Sequence, residues 1–501
     1  MSPSGLKVRI EVLEEPPLSF GAGQSVEPRK GLAAGGPAIG VPSLVNLGLV
    51  TLQRDVEEAR SWLEGLNRFE AAHDANARRF PRWPGAPKAL GTTFRIEPRL
   101  IRTIDDAEYA ELLLRRQTPG GFEALLEMLD ERVKALLSDQ PPSCVVIYLP
   151  DELAELRLVN PALSPEERRL LEALKAEEES DQLSLFQPTS EEKEKAEALR
   201  ATAEELLYQS FYRALKTRAM FHQNAAPLQI LRYDTVRRPN GRGQSRATRA
   251  WNMATTLLYK CGGIPWRPTG LPRNVCFVGI SFHHIRRRTG GIVYASVAQA
   301  VSTELEPFAI KGAEIDQEQR RDRRPYLTAD QAAVLIADVV VKYRLSAGVA
   351  PDRVVVHKTS GYEPEEVEGF RRGAQRDVAA CDLVWLRETS FRLIRRGAEE
   401  PVRGTFCTIG DESYLFTVGR LPWWGEYPGP HIPAPLEIGS AGSTDLRERA
   451  LEILALSKMD WNSTEGVSRY PITVGFARKV GLGMSMLSEN QAPNPSYRFH
   501  A

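Results

Sequence analysis

The chain has 501 residues, 42% of them hydrophobic and 26% charged, and its formal net charge is zero. This composition is typical of a globular protein, and the length predicts two or three domains. No run of eighteen apolar residues and no apolar leader is present, which argues against a membrane span and a secretory signal. The five scattered cysteines argue against a zinc site or a disulfide framework and predict a cytoplasmic location.

The first part of the chain alternates between predicted loops, helices and one buried strand. Residues 1–45 are rich in Gly and Pro and are expected to be irregular. Residues 56–72 have the apolar spacing of a helix, and residues 143–153 contain the run CVVIYL that is typical of a buried strand. The acidic segment near 157–205 is predicted to be a helical insertion without an obvious core.

Helices and strands continue to alternate along the rest of the chain. Residues 206–220 and 247–260 are predicted helices, the second of which ends at Gly262 and Gly263. Further predicted strands and one further helix follow the same alternation: strands at 226–236, 276–285, 290–301 and 352–361, and a helix at 328–345. This order of elements predicts an α/β fold.

Positive charge is concentrated between Tyr212 and Arg288, a segment that contains fifteen Lys and Arg residues and a single acidic residue, Asp234. A segregated basic block is typical of a protein that binds a phosphate-rich ligand. A solvated basic surface with its counter-charges nearby explains the same pattern equally well.

Four polar residues in this block form a candidate phosphate pocket. Tyr212 and Lys216 are four residues apart and share one helix face. With Gln229 and Lys260 they offer a hydroxyl, an amide and two ammonium groups, which together suit a terminal phosphate. Sequence spacing alone does not bring Lys260 to Tyr212, and such residues on a helix more often form a solvated edge.

The same segments resemble a known family. YRALK, PLQI and NMATTLLYKCGGIPW resemble the MID domain of Argonaute proteins, and FVGISFHH, VVVHKTSGYEPEEVEGF and MDWNSTEGVSRYPITVGFARKVG resemble its PIWI domain. The order of these segments makes the resemblance more specific than any single match. It implies a Rossmann-like MID domain in residues 1–270, with an N-terminal entry segment, followed by an RNase H-like PIWI domain in residues 271–501.

The resemblance also implies roles for named residues. Tyr212, Lys216, Gln229 and Lys260 correspond to the set that grips the 5′ phosphate of the guide strand. Gln229 and the C-terminal carboxylate of Ala501 are implied to share Mg²⁺ with that phosphate. The basic residues that follow the first PIWI strand are expected to contact the nucleic-acid backbone: Arg286, Arg287 and Arg288.

The positions of the catalytic carboxylates in cutting Argonautes are filled by other residues. Ser281 stands where the first aspartate is expected, Thr359 where the second is expected, and Arg478 near the last metal ligand. A hydroxyl binds a hard cation poorly without carboxylates, and two-metal cleavage requires carboxylates that hold both ions. The sequence therefore predicts a PIWI site that does not cleave and is not enzymatic.

The resemblance further implies a short Argonaute of MID and PIWI domains alone, since fewer than about 150 residues precede the MID strand. Such a chain is expected to bind a small guide RNA and complementary target DNA, with an RNA target as the alternative. Its expected partner is an effector protein that carries an APAZ region and a Sir2, TIR or nuclease domain. The expected role is prokaryotic defence against plasmids or phages.

Two other functions compete with this interpretation. One is an active Mg²⁺ nuclease that uses Glu314, Asp411 and Asp460. The other is a dinucleotide-binding enzyme, against which stands the absence of Gly-x-Gly-x-x-Gly between a strand and a helix. His283 and His284 are adjacent on a strand, so their side chains point to opposite faces and do not form a metal site.

Overall fold

The computed structural model describes most of the chain. The residues described are 7–72, 78–139, 141–159, 168–169, 171–172, 207–239, 243–286, 292–301, 307–315, 320–321, 324–394, 396–397, 400–429, 431–484, 494 and 496–500. The predicted acidic insertion lies almost entirely outside them. None of the helices among these residues is long and apolar enough to cross a lipid bilayer.

The described residues form strands throughout the chain. In chain order they are β1 (Val8–Val12), β2 (Leu18–Ser19), β3 (Gln24–Ser25), β4 (Leu44–Leu52), β5 (Thr93–Arg95), β6 (Ile101–Ile104), β7 (Cys144–Leu149), β8 (Arg157–Val159), β9 (Tyr208–Ser210), β10 (Leu228–Arg232), β11 (Arg267–Pro268), β12 (Val275–Arg286), β13 (Ile292–Val301), β14 (Phe308–Ile315), β15 (Arg320–Arg321), β16 (Arg324–Pro325), β17 (Arg353–Lys358), β18 (Ala380–Glu388), β19 (Thr405–Ile409), β20 (Glu412–Leu415) and β21 (Leu436–Ser440).

Helices lie between these strands. They are α1 (Pro28–Gly35), α2 (Val56–Gly65), α3 (Ala86–Leu90), α4 (Asp106–Leu114), α5 (Pro119–Asp139), α6 (Asp151–Ala154), α7 (Phe211–Ala219), α8 (Tyr233–Arg237), α9 (Arg246–Lys260), α10 (Ala329–Ala347), α11 (Pro364–Ala374), α12 (Leu446–Leu456) and α13 (Ile472–Met484), with short 3₁₀ turns at Gln53–Asp55, Pro98–Leu100 and Tyr497–Phe499. The predicted α/β class is confirmed.

The first sheet is parallel throughout. Its strand order is β10-β7-β4-β5, and β6 also pairs with β4 along the same edge as β5. All six residues of the central strand β7 are buried, as expected for a parallel sheet that is covered on both faces. One face packs against α5 and α7, and the other packs against α2 and α9. This arrangement matches the Rossmann-like domain expected in this part of the chain.

The second sheet has nine strands in the order β1-β19-β20-β21-β18-β17-β12-β13-β14. β12, β17 and β18 are parallel neighbours, whereas β13 and β14 continue the sheet as antiparallel strands. Helices α10 and α11 cover one face of this sheet, and α12 and α13 cover the other. This mixed sheet, with helices on both faces, matches the RNase H-like domain expected there.

The N-terminal residues differ from the expectation of an irregular segment. β1 pairs antiparallel with β19 at the edge of the nine-stranded sheet, and α1 begins at Pro28. The predicted division of the chain at residue 270 places β1 with the first domain, whereas its pairing places it in the sheet of the second. The alternation of Val8, Ile10 and Val12 in β1 is too short a signal to predict that long-range pairing.

The two sheets share one apolar core. Trp251 and Leu257 of α9 belong to the same buried cluster as Phe277 of β12 and Phe476 of α13. α9 begins at Ser245, whose hydroxyl accepts a hydrogen bond from the Thr248 amide, and it ends just before Gly262, which has a φ of 108°. The shared core holds the C-terminal end of α9 beside α13.

Candidate nucleic-acid interface

A cavity of about 610 Å³ lies where α7, α9, α13 and the C-terminal residues meet. Its lining includes three of the four residues predicted to bind a terminal phosphate: Tyr212, Lys216 and Gln229. The fourth, Lys260, is buried next to Lys216, so the fold brings all four side chains to one place.

The apolar face of α7 determines which side chains reach the cavity. Phe211, Leu215 and Ala219 repeat every four residues and are buried against the parallel sheet. Tyr212 and Lys216 occupy the adjacent face, where the Lys216 ammonium lies 4.7 Å from the centre of the Tyr212 ring. At this distance the ring stabilises the positive charge by a cation–π interaction.

Lys260 is the last residue of α9 and has 1% of its surface exposed. Its ammonium group donates a hydrogen bond to the carbonyl of Leu228, 2.5 Å away, on the strand that carries Gln229. Burial, and next to it the charge of Lys216, lowers the pKa of Lys260 to about 7. Burial also lowers the pKa of Lys216 to about 8, with the charge of Lys479 acting in the same direction. Buried ammonium groups this close together create a site that favours an anion.

The structure adds cavity residues that the sequence did not predict. Lys479 of α13 lines the cavity and pairs with Asp460 at 3.4 Å. His500 also lines it, and burial lowers the pKa of its ring to about 4, so the ring is neutral near pH 7. The hydroxyl of Thr217 donates to the carbonyl of Gly483 at 3.4 Å, which ties α7 to α13. No local pattern in the sequence links Lys479, Gly483 or His500 to Tyr212, because each lies more than 200 positions from it.

Part of the basic block is an ion-paired surface. Five of its arginines form ion pairs with carboxylates, and most of these carboxylates precede the block in the chain. The five arginines are Arg218, Arg232, Arg237, Arg238 and Arg246. The interpretation of a basic surface with nearby counter-charges therefore applies to these arginines. Inside the cavity the balance differs, since Asp234 is the one acid among its described lining residues and it pairs with Arg238.

Ser281 and Thr359 lie next to each other where the parallel pairing of β12 with β17 ends. The last pair between β12 and β17 joins Ile280 to Lys358, so Ser281 and Thr359 are the next residues along both strands. Ser281 is half-buried and Thr359 is exposed. Arg478 lies on α13, the helix that packs against β12, and its guanidinium lies 5.2 Å from the centre of the Tyr470 ring. At the two positions that correspond to carboxylates in the cutting pattern, this chain therefore has hydroxyl groups.

The acids of the alternative nuclease are far apart. Glu314 lies on β14, which is separated from β12 by β13. Asp411 lies in the turn between β19 and β20, and β21, β18 and β17 separate that hairpin from β12. Asp460 accepts hydrogen bonds from Lys479 and from the amide of Asn462. These three carboxylates do not share a site, and no group of three His, Cys, Asp or Glu side chains within the described ranges is placed to hold a metal ion.

Some predicted residues lie outside the described part of the chain. Arg287, Arg288 and Ala501 are among them, and Arg286 is described only as the last residue of β12. The backbone contacts and the carboxylate role assigned to these residues stay predictions. His283 and His284 pair with Ala295 and Tyr294 in the antiparallel ladder, which places them on the strand as expected.

Comparisons with known proteins identify the fold. No family model matches the chain, and no curated protein matches its sequence. Solved structures do match over nearly all of it. Clostridium butyricum Argonaute, bound to a guide DNA and a target DNA, covers 96% of the chain with a TM-score of 0.62 and 15% identity. Drosophila Piwi covers 98% with a TM-score of 0.59 and 13% identity. A. aeolicus Argonaute covers 97% with a TM-score of 0.54 and 15% identity.

The match extends over about half of each of these proteins. The chain covers 54% of the Clostridium butyricum protein, 56% of Drosophila Piwi and 55% of the A. aeolicus protein. At 13–15% identity the similarity is one of fold. The chain therefore has the fold of the Argonaute and Piwi proteins.

Proposed function

We propose that the chain is a guide-directed nucleic-acid binding protein whose cavity holds the 5′ phosphate of a small guide RNA. The observation that carries this proposal is the pair of buried ammonium groups of Lys216 and Lys260, placed beside the Tyr212 ring and Gln229. Charge-assisted hydrogen bonds from ammonium groups to phosphate oxygens are among the stronger ones in proteins. A phosphate dianion also restores the charge that burial disfavours on both lysines.

We also propose that a Mg²⁺ ion binds together with that phosphate. The side-chain amide of Gln229 donates a hydrogen bond from its Nε2 to the carbonyl of Ile230 at 3.0 Å. The amide oxygen takes no part in that bond. Amide and carboxylate oxygens and phosphates are the ligands that Mg²⁺ prefers. Gln229 and the C-terminal carboxylate of Ala501 would hold the ion, which would supply positive charge between that carboxylate and the guide phosphate.

Identifying the nucleic acid that copurifies with the chain tests this function. We expect short RNA strands with 5′ phosphates, which label with kinase only after phosphatase treatment. The Lys216→Met and Lys260→Met variants should copurify with much less of it. Recovery of no nucleic acid, or of strands with random 5′ ends in equal amounts from wild type and variants, would overturn the proposal.

Binding of a 5′-phosphorylated strand should weaken as the pH rises. In the free protein the pKa of Lys260 is about 7 and that of Lys216 is about 8, so Lys260 loses its proton around pH 7 and Lys216 loses its proton around pH 8. The phosphate favours the charged lysines, so binding takes up protons there and affinity falls. Below about pH 6 the phosphate loses its second charge, so affinity falls again. Titrations from pH 6 to about pH 9 should show the decline, and a flat profile would contradict it.

If the chain does not cleave its target, a partner protein is required to produce an effect after target binding. We propose that the chain works as a short, two-domain Argonaute, bound to an effector that carries an APAZ region with a Sir2, TIR or nuclease domain. Guide and target DNA would bias the pair toward an active effector in defence against plasmids or phages. This coupling requires that the target-bound state contact the effector differently, since a ligand shifts an equilibrium only by its differential affinity.

An exposed apolar face on α10 is our candidate for the partner surface. Val334, Val341 and Leu345 lie on one side of this helix and are 62%, 42% and 80% exposed. Apolar side chains exposed on one side of a helix are candidates for contact with a partner protein. A lasting complex should bury at least about 1,000 Å² in total.

Charge placed on this face should dissociate the partner. We expect the chain to elute with the product of the adjacent effector gene in size-exclusion chromatography, and Val341→Glu with Leu345→Glu to elute alone. Leu114→Glu, which adds one such charge at an exposed leucine of α4, is the control and should stay bound. If wild type elutes alone, the two-component proposal is wrong. If the double variant stays bound, α10 is not the interface.

A further inference from the structure

A second cavity, of about 400 Å³, lies on the other side of α9 from the phosphate cavity. Trp251 lines this second cavity, whereas Arg249, Asn252, Met253 and Thr256 line the first. Successive residues of a helix are about 100° apart, so Trp251 points away from the mean direction of the other four. α9 is therefore the wall between the two cavities.

The second cavity is lined by four cationic side chains and no acidic one: Arg29, Lys30, Arg82 and Lys88. Lys30, Arg82 and Lys88 are exposed at its mouth, and Arg29 is buried at 1% exposure. Such a set attracts an anion from solution to a preformed site.

The buried guanidinium of Arg29 has a donor without a protein partner. Its Nε donates to the Thr464 hydroxyl at 2.8 Å, and its Nη1 donates to the carbonyl of Arg79 at 2.5 Å. Its Nη2 is buried and has no hydrogen-bond partner in the described part of the chain. Glu27 and Glu465 attract its charge without accepting that hydrogen bond. A buried donor left without an acceptor is costly, and Arg29 lines the second cavity, so an acceptor on a ligand bound there would offset that cost.

Two aromatic side chains, Phe69 and Trp251, also line the second cavity. The Trp251 ring packs edge-on against Trp83 with ring centres 4.6 Å apart, and its indole N–H donates to the carbonyl of Arg82 at 3.1 Å. Phe69, in contrast, is 58% exposed at the rim. Cations next to an exposed aromatic ring are typical of sites for single-stranded nucleic acid, where phosphates meet the cations and a base stacks on the ring. An acidic peptide would use the cations but not the exposed ring.

Hydrogen bonds connect the two cavities. The Thr464 hydroxyl, which accepts from Arg29, donates to the side-chain oxygen of Asn252 at 2.7 Å, and the Thr464 amide donates to the same oxygen at 3.0 Å. Asn252 lines the phosphate cavity. We infer that the second cavity binds a phosphodiester of the same strand whose 5′ phosphate occupies the first cavity, with a base stacked on Phe69. This inference rests on the proposed function for the identity of that strand.

The test compares a short probe and a long probe on the full chain. A 5′-phosphorylated dinucleotide reaches the phosphate cavity alone, whereas a 5′-phosphorylated single-stranded oligonucleotide reaches both. We expect Arg82→Ala with Lys88→Ala to weaken the oligonucleotide at least tenfold and to leave the dinucleotide unchanged. The salt dependence of oligonucleotide binding should become shallower by about 0.7 for each phosphate that the variant no longer neutralises. Phe69→Ala should cost about tenfold with the salt slope unchanged.

Controls separate this inference from the proposed function. Lys134→Ala removes a charge from an exposed position on α5 and should change neither probe. Arg82 and Lys88 are exposed, so their variants should unfold at the wild-type temperature. If wild type binds neither probe, the proposed function fails. If the Arg82 and Lys88 variant keeps the wild-type oligonucleotide affinity and salt slope, the inference is overturned. Loss of poly-glutamate binding in that variant, with oligonucleotide binding intact, also overturns it and makes the second cavity an acidic-peptide site.

Discussion

Replacing Lys216 and Lys260 with methionine should weaken binding of a 5′-phosphorylated guide by at least tenfold. A hydrogen bond to a charged group contributes about 1.5–3 kcal/mol, so the loss of both ammonium groups reaches a hundredfold or more if the two act independently. Methionine keeps the length and apolar stem of lysine, so the packing around α7 and α9 is preserved. A guide with a 5′ hydroxyl should lose much less, because it has no phosphate for the lysines to bind.

Equilibrium titration with fluorescent guides measures this effect. Lys134→Met, which removes one charge from an exposed position on α5, is the matched control for each single variant. The single variants should each show part of the loss, and Lys479→Met should show a smaller loss, because Lys479 is partly neutralised by Asp460. Equal losses for phosphorylated and hydroxylated guides would contradict a phosphate role for the two lysines.

A guide-loaded chain should bind a complementary strand and leave it intact in Mg²⁺ or Mn²⁺. Ser281 and Thr359, the residues predicted to replace the first two catalytic carboxylates, carry hydroxyl groups, and hydroxyl groups bind hard cations poorly without carboxylates. Two metal ions are required to stabilise both the attacking and the leaving oxygen of the phosphodiester. Without them the rate should stay at the uncatalysed level.

Restoring two carboxylates tests the role of the third position. We expect Ser281→Asp with Thr359→Asp to remain inactive, because Arg478 places a positive charge on the helix that packs against β12. Adding Arg478→Asp then supplies the third carboxylate. A labelled target strand, resolved on a denaturing gel over time, measures cleavage. Guide-dependent cutting by the unmodified chain would contradict the inactive site outright.

The sequence predicted elements whose signal is local. Helix α10 begins at Thr328, whose side chain and that of Gln331 form a reciprocal capping box, and it ends at Gly348 in the left-handed conformation. β12 and its antiparallel neighbour β13 also follow directly from their apolar runs. These features depend on residues within a few positions of each other, so a single sequence contains them.

Other elements depended on tertiary contacts. Residues 226–236 have the pattern of one long strand, but the structure has a strand to Arg232 and a helix from Tyr233. Tyr233 packs against Tyr148 with ring centres 4.7 Å apart, and the carboxylate of Asp151 accepts from the amide of Asp234 at 2.8 Å. These contacts from the neighbouring strand and the turn after it favour the helical turn over the propensity of the segment.

The candidate site also contains residues that the sequence predicts to be neighbours and residues that only tertiary contacts bring together. Tyr212 and Lys216 were predictable as neighbours because one helical turn joins them. Lys260 and Gln229 joined them only through the family resemblance, and the structure explains their proximity by the hydrogen bond from Lys260 to Leu228. The family resemblance did not predict a role for Lys479 or His500, and it did not predict the second cavity around Arg29. They depend on α13, the C-terminal residues and α1 meeting α9, which a single sequence does not contain.

The coupling between the 5′ phosphate and the two lysines tests the central claim most directly. Guides with a phosphate or a hydroxyl at the 5′ end are each titrated against wild type and against Lys216→Met with Lys260→Met. The four affinities form a double-mutant cycle that isolates the phosphate–lysine interaction. The account predicts a coupling of at least about 1.4 kcal/mol, which is the tenfold loss specific to the phosphorylated guide. A coupling of zero, with the phosphate preference unchanged in the variant, would place the guide's 5′ end elsewhere on the protein.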